Sequence, residues 1–397
     1  MRKNGVIREI QEISGGVCAP NGFSCLGIEN GKENLAFIRS QVRGSIAVVS
    51  RREKNAKGFI SCFEGRDSVG QAKLLAVSSF GVDAFEQNYL TAIRESYRKI
   101  RSRFGVLERD VRSFLTGKVR FGAGKEIFTP ELTCTEFSTD TKTLYPAFGE
   151  GDPIEYACSF HLGDIYPKIG FIGGIGKGEN AQSGLIVLTT DVNISTEMLQ
   201  KALISEVKNT YGLCCIPCGG LPSDTVVILA NGQAGNAIID QDDSEYEKFC
   251  LGLRLASQEF CRRFVRKKAK DRVVECIVQN ARSNLQAREI AEKIAISKAV
   301  HSAIEKGENC FDGILCAVAN ADQSVKFSKL SVSFSCEKAT LKAMDVGEKH
   351  TLNKPRLKEI LTAKESYITV NLNAGNYPAF SWFCISDEEL KEELEKN

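Results

Sequence analysis

Short β-rich runs and amphipathic helix patterns alternate along this chain, and the alternation constrains its fold more than any other feature. Apolar residues at 3.6-residue intervals predict helices that begin near Asp83, after a cap at Ser195, at a Ser244/Glu247 capping box and at Ser283 with Gln286. Runs rich in β-branched residues between these helices predict strands. The predicted fold class is therefore mixed α/β. The predicted strands are 45–50, 74–78, 184–190 and 225–230.

Size and charge narrow the classes of protein to consider. A chain of 397 residues is long enough for two or three packing units of roughly 100 to 200 residues each. The 52 basic and 50 acidic side chains leave a net charge of +2, so no whole-protein field attracts nucleic acid or an anionic membrane. No stretch reaches the about 18 apolar residues of a membrane-spanning helix, and the N-terminus lacks the apolar run of a signal peptide. We therefore expect a cytoplasmic protein that binds neither nucleic acid nor membrane.

The cysteines are numerous but favour packing over metal binding. There are 15 of them, an odd number, and no export signal places them in an oxidising compartment. The densest group is Cys214, Cys215 and Cys218, which contains one C-x-x-C pair. A zinc site requires a second pair or two histidines at comparable spacing, and the three histidines are all distant in sequence. We predict a packed or partly exposed thiol group and no metal, with a metal site as the alternative.

The segment from Gly170 to Gly178 is rich in glycine and contains Lys177. It does not have the spacing of a phosphate-binding loop, because the first glycine of that motif would fall at Phe171 and its magnesium-binding hydroxyl at Gly178. No G-x-G-x-x-G register fits either. Taken alone, the segment predicts a tight turn between two strands.

Together with the residues that follow it, this segment resembles the self-processing ornithine/glutamate N-acetyltransferase (ArgJ-type) family. Members carry a G-G-I-A-K-G segment, a short variable stretch, and then the nucleophile in an M-A-T-M-L-A-F-I-T-T-D run. Here residues 173–178 read G-G-I-G-K-G and residues 181–191 read A-Q-S-G-L-I-V-L-T-T-D. Alignment from the shared T-T-D puts Ser183 at the position of the nucleophile.

Further segments match the same family in the same order along the chain. Residues 15–23 read G-G-V-C-A-P-N-G-F, where members carry G-G-V-x-A-P-x-G-F. Residues 138–141 (S-T-D-T) resemble a T-T-D-T segment, and residues 224–236 resemble N-D-T-V-x-x-x-A-N-G-x-A-G-N without its first asparagine. Thr116 and Gly117 fall where members carry an S-T-G oxyanion turn. Each motif alone is weak, but their shared order is specific.

The resemblance implies an ornithine acetyltransferase-like fold of the self-processing, N-terminal-nucleophile type, with mixed sheets and flanking helices. It also implies that the chain cuts itself between Gln182 and Ser183. The products are an alpha-chain portion, residues 1–182, which carries the oxyanion turn, and a beta-chain portion, residues 183–397, which begins at the nucleophile. Cleavage frees an α-amine with an ordinary pKa of about 7.7 to 8.0, so that amine can act as the base for its own hydroxyl without a histidine.

The resemblance assigns further roles around Ser183. The hydroxyl of Thr116 and the backbone N–H of Gly117 stabilise the oxyanion, and removing one such donor typically costs about 3 to 4 kcal/mol. Lys177 and Thr139 bind substrate, with an exposed turn lysine as the alternative for Lys177. The implied substrates are N-acetylornithine and glutamate, with acetyl-CoA as a further acyl donor and no bound cofactor. The implied assembly is a homo-oligomer of cleaved alpha/beta pairs.

Some positions depart from the family pattern. The nucleophile is serine where members use threonine, and Gln182 replaces a small alanine. Lys267 and Lys268 begin a K-K-A-K-D-R run where members carry a D-G-E-G-A-T-K loop, whose glutamate contacts the amino group of the substrate. A cation at that point repels a cationic amine, although the run also fits a solvated basic helix end. Leu394 stands where the C-terminal run of the family supplies an asparagine. The residues implied in the acyl-transfer step therefore match the family pattern better than the residues of the amino-acid pocket do.

Three functional hypotheses follow. The first is a glutamate N-acetyltransferase/ornithine acetyltransferase of arginine biosynthesis, which works through an acetyl-serine intermediate after self-cleavage at 182/183. The second is a catalytically impaired paralogue that acts as a binding or assembly protein. The third is a self-processing amidase or aminopeptidase with changed specificity.

Overall fold

The computed structural model describes residues 10–30, 33–50, 68–78, 111–115, 137–148, 153–177, 182–215, 225–268 and 272–385. The chain divides into two compact units. The first comprises Met1–Val207 and Gly220–Phe260, and the second comprises Lys208–Gly219 and Cys261–Asn397. Each unit contains a β-sheet and α-helices, so the prediction of a mixed α/β fold is confirmed.

The first unit is built on a large mixed sheet. Its strand order is β1-β6-β7-β8-β10-β3-β4-β5, and β2 pairs with β3. The β8/β10 and β4/β5 pairs are parallel, and the other pairs are antiparallel. The strands are β1 (Ile10–Ile13), β2 (Phe23–Asn30), β3 (Glu33–Ser50), β4 (Ser68–Ser78), β5 (Val111–Leu115), β6 (Ile154–Phe160), β7 (Lys168–Lys177), β8 (Gln182–Thr190) and β10 (Thr225–Ala230). All four predicted strand runs lie within them.

Two long helices and two 3-10 helices pack on this sheet. Helix α1 (Thr196–Asn209) is tied to β3, because the Gln200 side chain accepts from the Val48 backbone N–H and donates to its carbonyl, both at 3.2 Å. Helix α2 (Ser244–Lys268) stacks Phe260 on Phe171 of β7, with ring centroids 5.2 Å apart. The 3-10 helices are Gly16–Cys18 and Thr141–Phe148. The long 3-10 helix contributes its apolar residues to one buried cluster with Leu185 and Val187 of β8.

The predicted helix starts of the first unit are confirmed at one position and corrected at another. The Ser195 hydroxyl accepts from the backbone N–H of Met198 at 3.3 Å, as a helix cap does. The predicted Ser244 cap is wrong, because Ser244 is the first helical residue. The carboxylate of Asp243 takes the capping position instead and accepts from the N–H groups of Glu245 and Tyr246, each at 3.0 Å. A carboxylate also complements the positive end of the helix dipole, which a hydroxyl does not.

The second unit has its own sheet with the order β14-β13-β12-β15-β11-β16-β9. Ser283 caps helix α3, since its hydroxyl accepts from the Gln286 N–H at 3.2 Å, as predicted. The strands are β9 (Cys214–Cys215), β11 (Arg272–Ala281), β12 (Ser331–Cys336), β13 (Thr340–Asp345), β14 (Glu348–Lys349), β15 (Glu365–Asn371) and β16 (Tyr377–Ile385). The helices are α3 (Asn284–Ala295), α4 (Lys298–Glu305), α5 (Phe311–Ala321) and α6 (Lys354–Leu361).

Some predictions concern residues outside the described ranges. These are the helix near Asp83 and the departure at Leu394. The predicted division at 182/183 concerns cleavage rather than packing, and it stays a prediction. Among the helices formed by the described residues, none has the length and apolar composition to cross a membrane.

Candidate active site

The candidate cleavage site lies at the start of β8, where β8 pairs with β7 in antiparallel fashion. In the strand register, Ser183 is opposite Gly176 and Gln182 is opposite Lys177. The glycine-rich segment up to Lys177 is therefore a strand rather than the tight turn that its composition predicts. The backbone of the candidate nucleophile is held by the strand that carries the candidate substrate-binding lysine.

Close packing on both faces explains why glycine occurs so often in β7. A Cβ atom on Gly174 would lie 2.5 Å from the carbonyl oxygen of Phe148, at the end of the long 3-10 helix. A Cβ on Gly173 would lie 2.6 Å from the Phe260 ring, on the opposite face. Both separations are shorter than real Cβ contacts allow, so any larger residue would push a neighbouring element away from the sheet. The glycines bring these two elements close to the backbone beside the start of β8.

Thr139 lies in an exposed bend just before the long 3-10 helix. At that end of the helix, the Thr141 hydroxyl donates to the carbonyl of Gly15 at 2.7 Å. The other end of the helix reaches Gly174, which pairs with Leu185 of β8. Thr139 and position 183 therefore lie toward opposite ends of this helix. Thr116 and Gly117, the predicted oxyanion donors, lie outside the described residues.

The T-T-D segment at the far end of β8 is fully engaged in hydrogen bonds. The Thr189 hydroxyl donates to the carbonyl of Val17 at 2.6 Å, and the Thr190 hydroxyl donates to that of Lys168 at 2.8 Å. The Asp191 carboxylate accepts from the backbone N–H groups of Lys168 at 2.8 Å and of Asn21 at 3.1 Å. Asp191 is only 1% exposed. These residues tie the strand end to two neighbouring segments.

A third motif completes this cluster. The Asn231 side chain donates to the carbonyl of Asn21 at 2.8 Å, and the Ala234 N–H donates to the carbonyl of Asp191 at 2.7 Å. Asn236 accepts from the Asn193 N–H and donates to its carbonyl, each at 2.9 Å. The opening G-G-V-C-A-P-N-G-F segment, the T-T-D segment and the A-N-G-Q-A-G-N segment therefore meet at one place. We refer to these contacts as the motif cluster.

Burial dominates the electrostatics of Asp191. Its removal from water raises the pKa of this carboxyl above its ordinary value, while the N–H groups of Lys168 and Asn21 act in the opposite direction. The Lys168 ammonium lies close by and donates to the Asn21 side chain at 3.0 Å. The carboxylate accepts hydrogen bonds from backbone groups of the protein itself, so its observed role is structural.

The motif cluster lies far from the candidate nucleophile along the strand. Ser183 and Asp191 are eight residues apart in sequence, which corresponds to roughly 26 Å in an extended strand. The cluster therefore cannot touch an acyl group carried on residue 183. Sequence reasoning gave no role to Asn21, Asn231 or Asn236, although short polar residues beside glycines are typical of turns that bond to neighbouring backbone.

The basic run from Lys267 to Arg272 is divided between different environments. Lys267 is exposed in the last turn of α2, which ends at Lys268, and residues 269–271 lie outside the described ranges. Arg272 is the first residue of β11 and is buried. Its guanidinium donates to the carbonyls of Ile304 and Leu361 at 3.0 and 3.1 Å, at the C-terminal ends of α4 and α6. Arg272 therefore stabilises two helix ends and is not available to a substrate.

The cysteine group also proves partly structural. Cys214 is buried and hydrogen-bonded to Cys261, and burial raises the pKa of the Cys214 thiol well above its ordinary value. Cys218 lies outside the described residues. Across the described ranges, no group of three or more histidine, cysteine, aspartate or glutamate side chains is arranged to hold a metal ion.

Comparison with known proteins matches the chain to one family model and to individual sequences and structures. A model of the ArgJ family matches residues 24–389. The chain is 23% identical over 388 residues to the arginine biosynthesis bifunctional protein ArgJ of Caldanaerobacter subterraneus, covering 94% of this chain and 96% of that protein. It is 28% identical over 206 residues to the corresponding protein ArgJ 1 of Clostridium acetobutylicum, covering 52% and 50%. The crystal structure of ArgJ from Bacillus halodurans matches with 21% identity and a TM-score of 0.43, covering 54% of this chain and 99% of that one.

Proposed function

Because the chain belongs to the ArgJ family, we propose that it is a glutamate N-acetyltransferase/ornithine acetyltransferase of arginine biosynthesis. The observation that carries the proposal is the family match over residues 24–389, together with a hydroxyl residue at the nucleophile position of the family motif. Curated relatives that cover almost the whole chain are named arginine biosynthesis bifunctional proteins.

Self-cleavage is the first chemical step of the proposal. The Ser183 hydroxyl attacks the carbonyl carbon of Gln182, and the amide nitrogen leaves as the free α-amine of Ser183. Water then hydrolyses the resulting ester and releases the carboxylate of Gln182. The serine hydroxyl is regenerated, and it now carries its own base on the same residue. The family performs this step with threonine, and serine offers the same hydroxyl group.

Acetyl transfer is the second step. The α-amine accepts the proton of the Ser183 hydroxyl as the oxygen attacks the acetyl carbonyl of N-acetylornithine. The Thr116 hydroxyl and the Gly117 N–H donate to the oxyanion, which collapses to acetyl-serine as the ornithine amine leaves with a proton. The amine of glutamate then attacks acetyl-serine by the same route. Lys177 holds a substrate carboxylate. Thr139, which lies toward the other end of the 3-10 helix from position 183, contacts a part of the substrate remote from the acetyl group.

Acetyl exchange tests this proposal directly. Purified protein is incubated with N-acetylornithine that carries a labelled acetyl group, first alone and then with glutamate. We expect the label on the Ser183 side chain in the first incubation and on N-acetylglutamate in the second. Acetyl-CoA as the donor tests the alternative acyl source. Protein that never acquires the label, from either donor, contradicts the proposal.

Three variants sharpen this experiment. Ser183→Thr restores the nucleophile of the family and should keep both incubations positive, whereas Ser183→Ala should make both negative. Gln182→Ala restores the small residue before the cut and should leave the products unchanged. A labelled product that persists in Ser183→Ala would mean that another residue carries the acetyl group.

A second function draws support from the exposed Lys267 in place of the acidic family loop. If this change excludes the cationic amine of ornithine, the chain is either a binding paralogue or an amidase of the same fold. Hydrolysis of amide substrates that is lost in Ser183→Ala would favour the amidase. Normal cellular function of the Ser183→Ala variant would favour the binding protein. Proposed assembly as a homo-oligomer of alpha/beta pairs is compatible with all three functions.

A further inference from the structure

Two cysteine thiols of the first unit lie next to each other. Cys18 ends the short 3-10 helix Gly16–Cys18, and Cys25 lies in β2. Both thiols are free, and each is a hydrogen-bond partner of the other. Sulfur atoms at hydrogen-bond distance need only a small movement to reach the covalent S–S length of about 2.0 Å. The pair is therefore placed to form a disulfide.

The contacts around the pair hold both cysteines in place. The Cys25 thiol donates to the carbonyl of Asp140 at 3.2 Å, and its sulfur lies 3.5 Å from the hydroxyl oxygen of Thr143. The Cys18 N–H donates to the carbonyl of Gly15 at 2.9 Å. Both side chains belong to one buried cluster. The folded chain therefore keeps the two sulfur atoms adjacent, and their contact does not depend on a loop becoming ordered.

The environment of the pair favours one thiolate beside one thiol. The pKa of Cys25 is lowered, chiefly by the hydrogen bond from Cys18, while burial opposes this effect and the Thr143 hydroxyl supports it. The pKa of Cys18 is raised, chiefly because it gives that hydrogen bond to Cys25 and also because it is buried. Thiolates are the nucleophiles of disulfide chemistry. A pair that shares one negative charge and one proton is suited to attack of one sulfur on the other after oxidation.

Access distinguishes this pair from a second pair of neighbouring thiols. Cys18 is 8% exposed and Cys25 is 0% exposed, so a small oxidant reaches the pair from the side of Cys18. Cys214 and Cys261 are also hydrogen-bonded to each other, but they are 0% and 1% exposed. Because thiol oxidation depends on exposure as well as on thiolate character, we expect the first pair to react and the second pair to resist.

We propose that Cys18 and Cys25 form a reversible disulfide when the protein is exposed to hydrogen peroxide. The shared proton moves to Cys25, and the Cys18 sulfur attacks one peroxide oxygen. This forms a sulfenic acid and expels hydroxide, which becomes water with the proton that the pair had released. The Cys25 sulfur then attacks the Cys18 sulfur, so the S–S bond forms, the S–O bond breaks and hydroxide leaves with the Cys25 proton as a second water. The two thiols lose two electrons, and the peroxide gains them.

The disulfide also changes the contacts of the S-T-D-T segment. Its formation uses the Cys25 thiol proton, so the carbonyl of Asp140 loses the donor that lies 3.2 Å away. The Cys25 backbone pairs with that of Ser138 in both directions, at 2.7 and 2.9 Å. A shift of Cys25 toward Cys18 therefore loosens the segment that leads into the 3-10 helix Thr141–Phe148. The modification does not involve Ser183, and it is independent of the proposed acetyl transfer.

Peptide mass spectrometry of the whole protein tests the proposal. Folded protein is treated with hydrogen peroxide or with dithiothreitol, freed of the reagent, denatured and labelled with N-ethylmaleimide. Trypsin then releases the peptide 9–32, whose only cysteines are Cys18 and Cys25. We expect two labels on this peptide after dithiothreitol and none after peroxide, with the unlabelled peptide lighter by two hydrogen atoms. Two labels after peroxide, or added oxygen instead of lost hydrogen, overturn the proposal.

A second peptide and two variants locate the reaction. The tryptic peptide 255–262 contains Cys261 as its only cysteine and should keep its label after peroxide. Equal loss of label there would overturn the proposal, since oxidation would not select the pair that the oxidant can reach. Cys18→Ser should leave Cys25 labelled after peroxide, and a label lost in that variant contradicts the pairing. Ser183→Ala should still form the disulfide, which separates this proposal from the acetyl-transfer chemistry.

Discussion

The two ends of strand β8 are held in different ways. At the carboxyl end, the side chains of Thr189, Thr190 and Asp191 bond to backbone groups of distant segments. At the amino end, Ser183 pairs through the backbone with Gly176, in a strand whose glycines admit the neighbouring elements closely. Hydrogen bonds from polar side chains fix the carboxyl end. Beside the amino end, the glycines of β7 let neighbouring elements pack directly against the strand backbone.

This difference separates two kinds of residue within one family motif. The T-T-D residues identify the family in sequence, yet their hydrogen bonds show that they hold the sheet together. The proposed chemistry depends instead on Ser183, which lies six to eight positions before them. One continuous sequence motif can therefore contain residues that stabilise the fold and a residue that carries the reaction. Substitutions at its carboxyl end should lower stability, and substitutions at its amino end should lower activity.

Loss of the Ser183 hydroxyl should have the largest effect. We expect Ser183→Ala to reduce acetyl transfer by about four orders of magnitude or more, since no oxygen remains to carry the acetyl group. The thermal unfolding midpoint should stay within a few degrees of the parent protein. Calorimetry and the exchange assay together check this pair of results. A variant that loses both stability and activity would show that the two ends do not differ as described.

Loss of the Asp191 carboxylate should lower stability and leave activity per folded molecule unchanged. Asp191→Ala leaves the part-buried N–H groups of Lys168 and Asn21 without their carboxylate acceptor, at a cost of about 1 to 3 kcal/mol. Urea unfolding measures this loss. Where the variant remains folded, its activity per folded molecule should match that of the parent protein. An equally stable Asp191→Ala protein would contradict the structural role of the motif cluster.

Thr189 offers a smaller and more conservative test. Thr189→Val keeps the shape of the side chain and removes its bond to the carbonyl of Val17, which should cost about 1 kcal/mol. The matched change at the amino end is Ser183→Thr, which keeps the hydroxyl and should cost little stability. Comparison of both variants by urea unfolding and acetyl exchange should show lower stability in the first and retained function in both.

The smallest expected effect is on pH dependence. Burial raises the folded-state pKa of Asp191 above its unfolded value, so the folded protein binds this proton more tightly. The contribution of this group to stability is therefore greatest below the unfolded pKa and is lost as the pH rises through the folded pKa. Asp191→Asn should remove the decrease in unfolding free energy that this group causes as the pH rises. Identical slopes in parent and variant would show that burial does not control this carboxyl.

Local patterns predicted much of the fold. The strand 225–230 was predicted with the bounds that the structure shows, and the caps at Ser195 and Ser283 were predicted correctly. Each of these depends on residues within a few positions of one another. The cap at Ser244 was wrong because Asp243, directly before it, is an equally suitable residue, and spacing alone does not choose between them.

Long-range packing could not be predicted in the same way. The glycines of β7 indicated a turn because their packing partners, Phe148 and Phe260, are distant in sequence. The bonds of the motif cluster join Asn21 to Asp191 and Asn231, across 170 and 210 residues. The family resemblance supplied the order of the motifs, but only the fold shows that three of them meet. The predicted oxyanion pair at Thr116 and Gly117 stays a prediction.

The mass of the purified, unmodified protein tests the central claim most directly. If the amino end of β8 is the reactive end, mass spectrometry of the denatured protein should show two chains, residues 1–182 and 183–397, and the Ser183→Ala variant should show one. A parent protein that keeps its full mass of 43.6 kDa after prolonged incubation would contradict self-cleavage and the chemistry that depends on it.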